Sequence, residues 1–221
     1  MPNTRGKFIV FDGSECSGKQ TQAALLQAHL QTNGTDARVL SFPQYKNTFH
    51  GRILDEVRHD KSSNFFKLDP YTASFLFIGD RWESRSQIIS LLEDGCVVIA
   101  DRFTSANMIH QGGKFSDPTE RDKYFKWLLN LEFGCLDFPK PDATIFFKVP
   151  VKISLELLQK RGGMDEAEKD VSYLIKSLRC AEAIAKEYGW HTIDCAPDGE
   201  LRSRESIHEE VLSILEPVIF G

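Results

Sequence analysis

The sequence lacks a long apolar run, an excess of basic residues and any cysteine pairing pattern. None of its hydrophobic runs is long enough to span a bilayer, and the apolar stretch near the N-terminus is too short for a signal peptide. The net charge of −5 argues against a general nucleic-acid binder, which needs a basic surface. We therefore expect partners that are neither membranes nor nucleic acids.

The 5 cysteines are an odd number and form neither a CxxC pair nor a Cys/His cluster at zinc-ligand spacing. Reduced thiols in a reducing compartment are the simplest interpretation, so a cytoplasmic location is expected. The 221 residues suffice for one core, and neither a repeat nor a low-complexity linker divides them. We predict a single domain over residues 1–221.

Short apolar runs alternate with longer helical patterns along the chain. Candidate strands lie at residues 8–11, 38–42, 96–100, 143–149 and 191–194. Candidate helices lie at residues 19–32, 70–92, 151–161, 165–188 and 205–214, whereas the segment 44–68 has no clear pattern. This alternation is typical of a parallel sheet with helices on both faces, and such sheets bind ligands at the carboxyl ends of their strands.

The first candidate strand leads into a phosphate-binding loop. Residues 13–19 read Gly-Ser-Glu-Cys-Ser-Gly-Lys, which is the G-x-x-x-x-G-K pattern between a strand and a helix. The glycines let backbone N–H groups turn toward phosphate oxygens, while the helix N-terminus and Lys19 add positive charge. We predict that ATP is bound by Gly13, Ser14, Cys16, Ser17, Gly18, Lys19, Gln20 and Thr21.

Two positions are candidates for holding Mg²⁺. Gln20 stands where the motif places a Ser or Thr ligand, and its amide oxygen can ligate the metal or hold a metal-bound water. Thr21 cannot simply substitute, because one residue rotates the side chain by about 100° around the helix. Asp101 and Arg102, at the tip of the third strand, offer a carboxylate for the metal and a guanidinium for a phosphate. A surface ion pair is the alternative interpretation of these two residues.

The helix predicted over residues 70–92 carries two sets of side chains. An apolar stripe at helical spacing is expected to face the core, and its members are Tyr71, Phe75, Ile78, Trp82 and Ile89. Phe77 lies roughly 120° or more from this stripe, and Arg81 is its i+4 neighbour. This pair suits a planar base that stacks on the ring and is bonded at its edge. A ring packed on another helix, with Arg81 in a structural salt bridge, is the alternative.

Several segments together resemble the thymidylate kinase family over nearly the whole chain. They are Phe42-Pro43, Phe77 to Glu83, Asp101-Arg102-Phe103, Gln111 to Lys114, Pro139 to Asp142, and Lys160 to Asp170. The resemblance implies an α/β P-loop NTPase fold of three layers, with a five-stranded parallel sheet flanked by helices and a short lid at about residues 160–170. It also implies a homodimer that transfers the γ-phosphoryl group of ATP to dTMP with Mg²⁺.

The resemblance and the motifs together suggest roles for individual residues. The residues implied in dTMP binding are Glu15, Phe42, Phe77, Arg81, Arg102 and Gln111. The residues implied in catalysis are Lys19, Asp101, Arg102 and Arg161, with Mg²⁺ held by Gln20, Asp101 or both. Within these sets, Phe77 would stack on thymine, Arg102 would bind the dTMP phosphate and Arg161 would be carried by the lid. His110, beside Gln111, is also expected near the pocket.

Two departures from the family pattern leave alternatives open. Gln44 and Tyr45 stand where members often carry a phosphate-gripping arginine, so Lys46 or Arg52 substitutes or the contact is absent. Cys16 stands where one subgroup has a catalytic arginine, so the chain resembles the subgroup whose arginine comes from the lid. The alternatives for function are another pyrimidine nucleotide or deoxynucleoside kinase, with dUMP use open, and a non-catalytic ATP-binding module.

Overall fold

The computed structural model describes residues 5–60, 64–164 and 166–221, and its centre is a parallel five-stranded sheet. The strands are β1 (Phe8–Gly13), β2 (Ala37–Ser41), β3 (Val97–Asp101), β4 (Ala143–Lys148) and β5 (His191–Asp194). They are arranged in the order β2-β3-β1-β4-β5, with every neighbouring pair parallel. The predicted fold class is confirmed, and the predicted strand bounds shift by at most two residues.

The described α-helices cover the faces and edges of this sheet. They are α1 (Lys19–Thr32), α2 (Phe49–His59), α3 (Pro70–Glu93), α4 (Thr104–His110), α5 (Pro118–Leu129), α6 (Val151–Arg161), α7 (Glu166–Lys169), α8 (Val171–Glu187) and α9 (Arg204–Phe220). Pro70 begins α3 as predicted, and the Asp69 carboxylate caps it by accepting from the N–H groups of Tyr71 and Thr72. Within the described residues, no helix is both long and apolar enough to cross a bilayer.

Three helices were not predicted, and two predicted helices need correction. Helix α2 lies inside the segment 44–68 that showed no clear pattern, and helices α4 and α5 were not predicted. The helix predicted over 165–188 is interrupted, because the Asp170 carboxylate accepts from the N–H of Tyr173 and thereby starts α8 anew. The last helix continues to Phe220 instead of ending at residue 214.

Alternate residues of the strands divide the core into two halves. Phe8 and Val10 of β1 face a cluster that includes side chains of α3, α4, α5 and α8. Ile9 and Phe11 of the same strand face a cluster built with α1 and α9. Because side chains alternate along a strand, one sheet buries both of its faces and the three-layer arrangement follows.

The apolar stripe predicted for α3 is only partly confirmed, since Ile78 is buried in the core and Tyr71 packs against it. Phe75 and Trp82 are 56% and 47% exposed, although both were expected in the core. The buried face instead contains small and charged side chains, among them Ser74, Asp80 and Arg81. Hydrophobic periodicity failed here because the polar side chains on this face have buried hydrogen-bond partners, which composition alone does not reveal.

Candidate active site

The phosphate loop lies between the end of β1 and the start of α1. A Cβ on Gly13 would lie 2.3 Å from the carbonyl oxygen of Phe147 in β4, so this position requires glycine. The Ser14 N–H donates to the same oxygen at 3.1 Å, and the Val149 N–H donates to Ser14 Oγ at 3.1 Å. Gly18 precedes α1 with a φ of 83°, which favours glycine. Close approach and left-handed backbone therefore explain the two glycines of the motif.

Lys19 is buried and folded back onto the loop. Its Nζ donates to the carbonyl oxygens of Gly13 at 3.1 Å and Ser14 at 2.8 Å, and to Ser17 Oγ at 3.3 Å. Burial and the positive charge of Arg102 lower the pKa of Lys19. The ammonium group thus lies within the loop, where phosphate oxygens can replace its carbonyl partners.

A buried pair beneath the loop, Asp12 and Ser105, was missed by the sequence reasoning. Ser105 Oγ donates to Asp12 Oδ2 at 2.7 Å, and the Gly13 N–H donates to Asp12 Oδ1 at 2.9 Å. Burial raises the pKa of Asp12, an effect that the charges of Arg102 and Lys19 partly offset. The pair ties the start of the phosphate loop to α4. The signal that could have revealed this pair is an acidic residue inside an otherwise apolar strand, directly before the loop glycine.

Arg102 and Glu15 form an ion pair across the floor of the site. The Arg102 N–H donates to the Phe11 carbonyl at 2.8 Å, and the residue has a φ of 68°, a left-handed conformation uncommon outside glycine. Its Nη2 donates to both carboxylate oxygens of Glu15, at 2.9 and 3.1 Å. Burial opposes both charges, but their mutual attraction outweighs it, lowering the pKa of Glu15 and raising that of Arg102. The side chains keep 25% and 16% exposure.

His110 extends this pair into a longer hydrogen-bond chain. Arg102 Nη1 lies 2.7 Å from His110 Nε2, and the Tyr173 hydroxyl lies 2.9 Å from His110 Nδ1. Because a guanidinium only donates, Nε2 is the bare nitrogen, and Nδ1 carries the proton that it donates to Tyr173. Burial and the Arg102 charge lower the pKa of His110 to about 3, which keeps the imidazole neutral at neutral pH. Tyr173 belongs to α8, and its place in the site was not predicted.

A cleft of about 830 Å³ opens at the carboxyl edge of the sheet. Its walls include the predicted site residues Glu15, Gln20, Phe42, Phe77, Arg81, Asp101, Arg102, Gln111 and Arg161. Gly13 and Ser14 instead line a smaller cavity, which Glu15 shares. The predicted residues that line neither space are Cys16, Ser17, Gly18, Lys19 and Thr21. The fold therefore brings the residues that were predicted to bind dTMP together in one cleft. Their individual binding roles stay predictions.

Arg81 lines the cleft, but most of its donors are used within the protein. Its Nε and Nη2 donate to the Glu132 carboxylate at 3.1 and 2.5 Å, and the two side chains are 2% and 0% exposed. Its Nη1 donates to Asn107 Oδ1 at 3.0 Å and to the Phe103 carbonyl at 3.4 Å. These four bonds leave one of the five guanidinium N–H groups for a ligand. The salt bridge that sequence spacing allowed thus exists, and contact with a base edge stays a prediction.

Two amide side chains that line the cleft, as Phe77 does, contain unpaired buried atoms. Gln111 Oε1 and Asn107 Nδ2 are buried and have no hydrogen-bond partner among the described residues, and both side chains line the cleft. Such unpaired buried groups are costly unless a ligand or water satisfies them. One acceptor and one donor in a cleft that also exposes an aromatic ring suit the N–H and C=O groups at the edge of a planar base.

The residues predicted to hold Mg²⁺ are suited to a metal ion that enters the site bound to nucleotide phosphates. Asp101 and Gln20 both line the cleft, and Asp101 Oδ1 is buried without a hydrogen-bond partner among the described residues. Carboxylate and amide oxygens suit Mg²⁺, which usually keeps water and phosphate oxygens as its other ligands. Over residues 5–60, 64–164 and 166–221 there is no group of three His, Cys, Asp or Glu side chains able to hold a metal.

Arg161, the predicted lid arginine, lies beside the phosphate loop at the end of α6. Its Nη2 donates to Glu168 Oε2 of α7 at 2.6 Å, and its Nη1 lies 4.0 Å from Cys16 Sγ. The glycines at 162–163 follow with φ of 72° and 65°, values that glycine adopts at little cost. Asp165 of the lid-like segment lies outside the described residues.

Comparison with known proteins agrees with this arrangement. The family model for thymidylate kinase matches residues 11–207. The chain is 29% identical to a thymidylate kinase of Plasmodium falciparum, covering 94% of this chain and 89% of that protein. It is 31% identical to one of Nitrosomonas eutropha, covering 80% and 78% of the two chains. A solved thymidylate kinase structure from Candida albicans superposes with a TM-score of 0.76 at 25% identity, covering 96% of this chain and 92% of that chain. The chain belongs to the thymidylate kinase family.

Proposed function

We propose that this protein transfers the γ-phosphoryl group of ATP to dTMP with Mg²⁺, giving ADP and dTDP. The observation that carries the proposal is one cleft that is lined by Glu15 of the phosphate loop, by Phe77 and by two amides with unpaired atoms. The loop suits a nucleoside triphosphate, and the amide end suits a base. Membership of the thymidylate kinase family supports dTMP as the acceptor.

The reaction requires charge compensation and positioning more than covalent chemistry. An oxygen of the acceptor phosphate attacks the γ-phosphorus while the bond to the bridging β-phosphate oxygen breaks. No general base is needed, because a phosphate monoester is already ionised near neutral pH. Lys19 neutralises the donor phosphates, and Arg102 binds the acceptor phosphate by exchanging part of its contact with Glu15.

Two further groups complete the assignment. Arg161 leaves Glu168 and turns onto the transferring group, a short movement because the guanidinium is already beside Cys16 of the loop. Asp101 and Gln20 would hold Mg²⁺, directly or through water. The metal supplies charge stabilisation to the triphosphate when it is bound.

The direct test is ADP release with ATP and Mg²⁺ against a panel of acceptors: dTMP, dUMP, dCMP, dAMP, UMP and thymidine. We expect fast turnover with dTMP and slower or absent turnover with the others. The Lys19→Ala variant should lose turnover, while Lys46→Ala, which alters an exposed lysine outside the cleft, should keep it. Turnover with thymidine but not dTMP would identify a nucleoside kinase instead. ATP binding without turnover on any acceptor would favour a binding module.

We also propose a homodimer built on the outer face of α3. Phe75 and Trp82 lie one heptad apart on this helix and are more exposed than large aromatic side chains usually are. Phe49, at the start of the neighbouring α2, is 58% exposed. Light scattering after size exclusion should give twice the chain mass, and a Phe75→Glu/Trp82→Glu variant should give the mass of one chain. A wild-type protein with the mass of one chain would contradict the dimer.

The remaining assignments concern organisation and location. We propose one kinase domain over residues 1–221 with a lid at about 160–170. The single domain is supported by the described residues, whose strands all belong to one sheet. We propose a cytoplasmic location, supported by five cysteines that are all unpaired.

A further inference from the structure

The arginines that line the cleft differ in whether a carboxylate of the protein already neutralises them. Arg81, Arg102 and Arg161 each form a salt bridge, with Glu132, Glu15 and Glu168. Arg58, which lines the same cleft, has no ion pair with any carboxylate of the described residues. Its Nε atom is also buried without a hydrogen-bond partner in the described part of the chain.

Packing directs the Arg58 guanidinium toward the cleft. Its Cζ lies 4.8 Å from the centroid of the Tyr45 ring, which orients the planar group through a cation–π contact. Arg58 is the second-last residue of α2, and Tyr45 lies in the loop between β2 and α2. Both side chains line the cleft, as does Leu54 one turn earlier on α2. A partly buried guanidinium without a counter-ion is unfavourable until an anion joins it.

Other polar groups near this loop are engaged elsewhere. Gln44 donates from Nε2 to Ser84 Oγ at 2.5 Å and from its N–H to Asp80 at 3.0 Å, so its amide is held against α3. Lys46 and Arg52 are exposed and do not line the cleft. The substitutes that the sequence suggested for a phosphate-gripping arginine are therefore outside the cleft, whereas Arg58 lies within it.

We infer that Arg58 binds the phosphate of the acceptor nucleotide, together with Arg102, while Tyr45 holds its guanidinium in place. The inference rests on the proposed function, because it takes a nucleoside monophosphate as the ligand of the cleft. The phosphate is the charged part of such an acceptor, since a pyrimidine base and a deoxyribose are neutral. A guanidinium binds two phosphate oxygens through parallel N–H donors, and Arg58 and Arg102 both line the cleft.

Calorimetric titration with dTMP and with thymidine separates the phosphate from the rest of the ligand. The Arg58→Met variant keeps most of the side-chain volume but loses the charge. We expect it to bind dTMP about 10- to 100-fold more weakly than the wild type and to bind thymidine equally well. Arg58→Lys should recover part of the dTMP affinity, because it restores charge without the planar fork. Arg52→Met, on the exposed face of the same helix, is the matched control and should bind both ligands like the wild type.

The outcomes separate this inference from the proposed function. Thymidine binding by Arg58→Met also shows that the variant is folded. Unchanged dTMP affinity in Arg58→Met would overturn the role of Arg58 and leave the proposed function standing. Equal losses for dTMP and thymidine would overturn it too, because the side chain would then shape the base end of the cleft. A wild-type protein that binds neither ligand would overturn the proposed function together with the inference.

Discussion

Two arginines that line the same cleft pair with carboxylates in very different surroundings. Arg81 and Glu132 are 2% and 0% exposed, and Thr104 Oγ1 donates to Glu132 as well, at 2.5 Å. Arg102 and Glu15 are 25% and 16% exposed, and their neighbour His110 is a neutral acceptor. One pair is enclosed by protein partners, whereas the other is open on one side.

The difference separates a structural pair from a ligand-binding pair. Removing one member of an enclosed ion pair leaves a buried charge without compensation, which is strongly destabilising. Removing one member of a partly exposed pair lowers the free energy of unfolding less, because water can solvate the remaining charge. A ligand anion can also replace one partner at little electrostatic cost. We therefore expect Arg81 to act mainly on stability, and Arg102 and Arg161, whose pairs are open to the cleft, to act mainly on substrate binding and catalysis.

The largest effect on rate is expected at Arg161. Its side chain is 49% exposed, so Arg161→Met should leave the free energy of unfolding nearly unchanged. In phosphate-loop enzymes, losing such an arginine costs about 10³-fold or more in rate, and we expect kcat to fall by that order. Steady-state kinetics at saturating dTMP measures it. A variant with wild-type kcat would exclude Arg161 from the transferring group.

The largest effect on stability is expected at Arg81. Arg81→Met leaves Glu132 buried and unpaired, so the free energy of unfolding should fall by about 3–5 kcal/mol. Arg85→Met is the matched control on the same helix, since Arg85 pairs with an 86% exposed Asp137, and it should cost about 1 kcal/mol or less. Urea unfolding of both variants gives the comparison.

A companion variant sharpens this test. Arg81→Met combined with Glu132→Met removes both charges, so it should recover part of the lost stability. Equal stability losses in Arg81→Met and Arg85→Met would contradict the distinction between the enclosed pair and the exposed one.

A smaller effect is expected at Arg102, and mainly on substrate affinity. Arg102→Met removes the guanidinium that is proposed to bind the acceptor phosphate, so the KM for dTMP should rise about 10- to 100-fold. The KM for ATP should change much less, because Lys19 and the loop remain. Kinetics with each substrate varied in turn measures the two constants. A rise confined to the KM for ATP would assign Arg102 to the donor side.

The smallest effect is a pH dependence carried by His110. Its folded-state pKa of about 3 lies below the ordinary value of 6.5, so the unfolded chain binds more protons between these values. Stability therefore decreases as the pH falls through this window. His110→Phe should flatten that decrease, by at most about 1.4 kcal/mol per pH unit for one proton. Urea unfolding from neutral pH downward measures the slope, and exposed His59→Phe is the control. Parallel slopes for wild type and His110→Phe would refute a neutral buried imidazole.

The sequence predicted the fold well because its strands are short apolar runs that end in recognisable turns. All five strands and the helices at 19–32 and 151–161 were predicted with bounds within two residues. The phosphate loop was also found, since backbone geometry requires Gly13 and Gly18 at those positions. These features depend on residues that are close together in the chain, so they can be predicted from the sequence.

The features that were missed depend on contacts between distant residues. Glu132 meets Arg81 across 51 positions, and Ser105 meets Asp12 across 93. The stripe on α3 failed in part for a related reason, because Trp82 is apolar yet faces outward. Nothing local in the sequence distinguishes an aromatic residue in the core from one on a surface that another chain would cover.

The most direct measurement is phosphorus NMR of the wild-type protein mixed with ATP, Mg²⁺ and dTMP. We expect dTDP and ADP to appear together in equal amounts, with no inorganic phosphate, because the γ-phosphoryl group passes directly to the acceptor. ADP accompanied by inorganic phosphate would mean hydrolysis. An unchanged spectrum from protein that binds both nucleotides would contradict the kinase assignment.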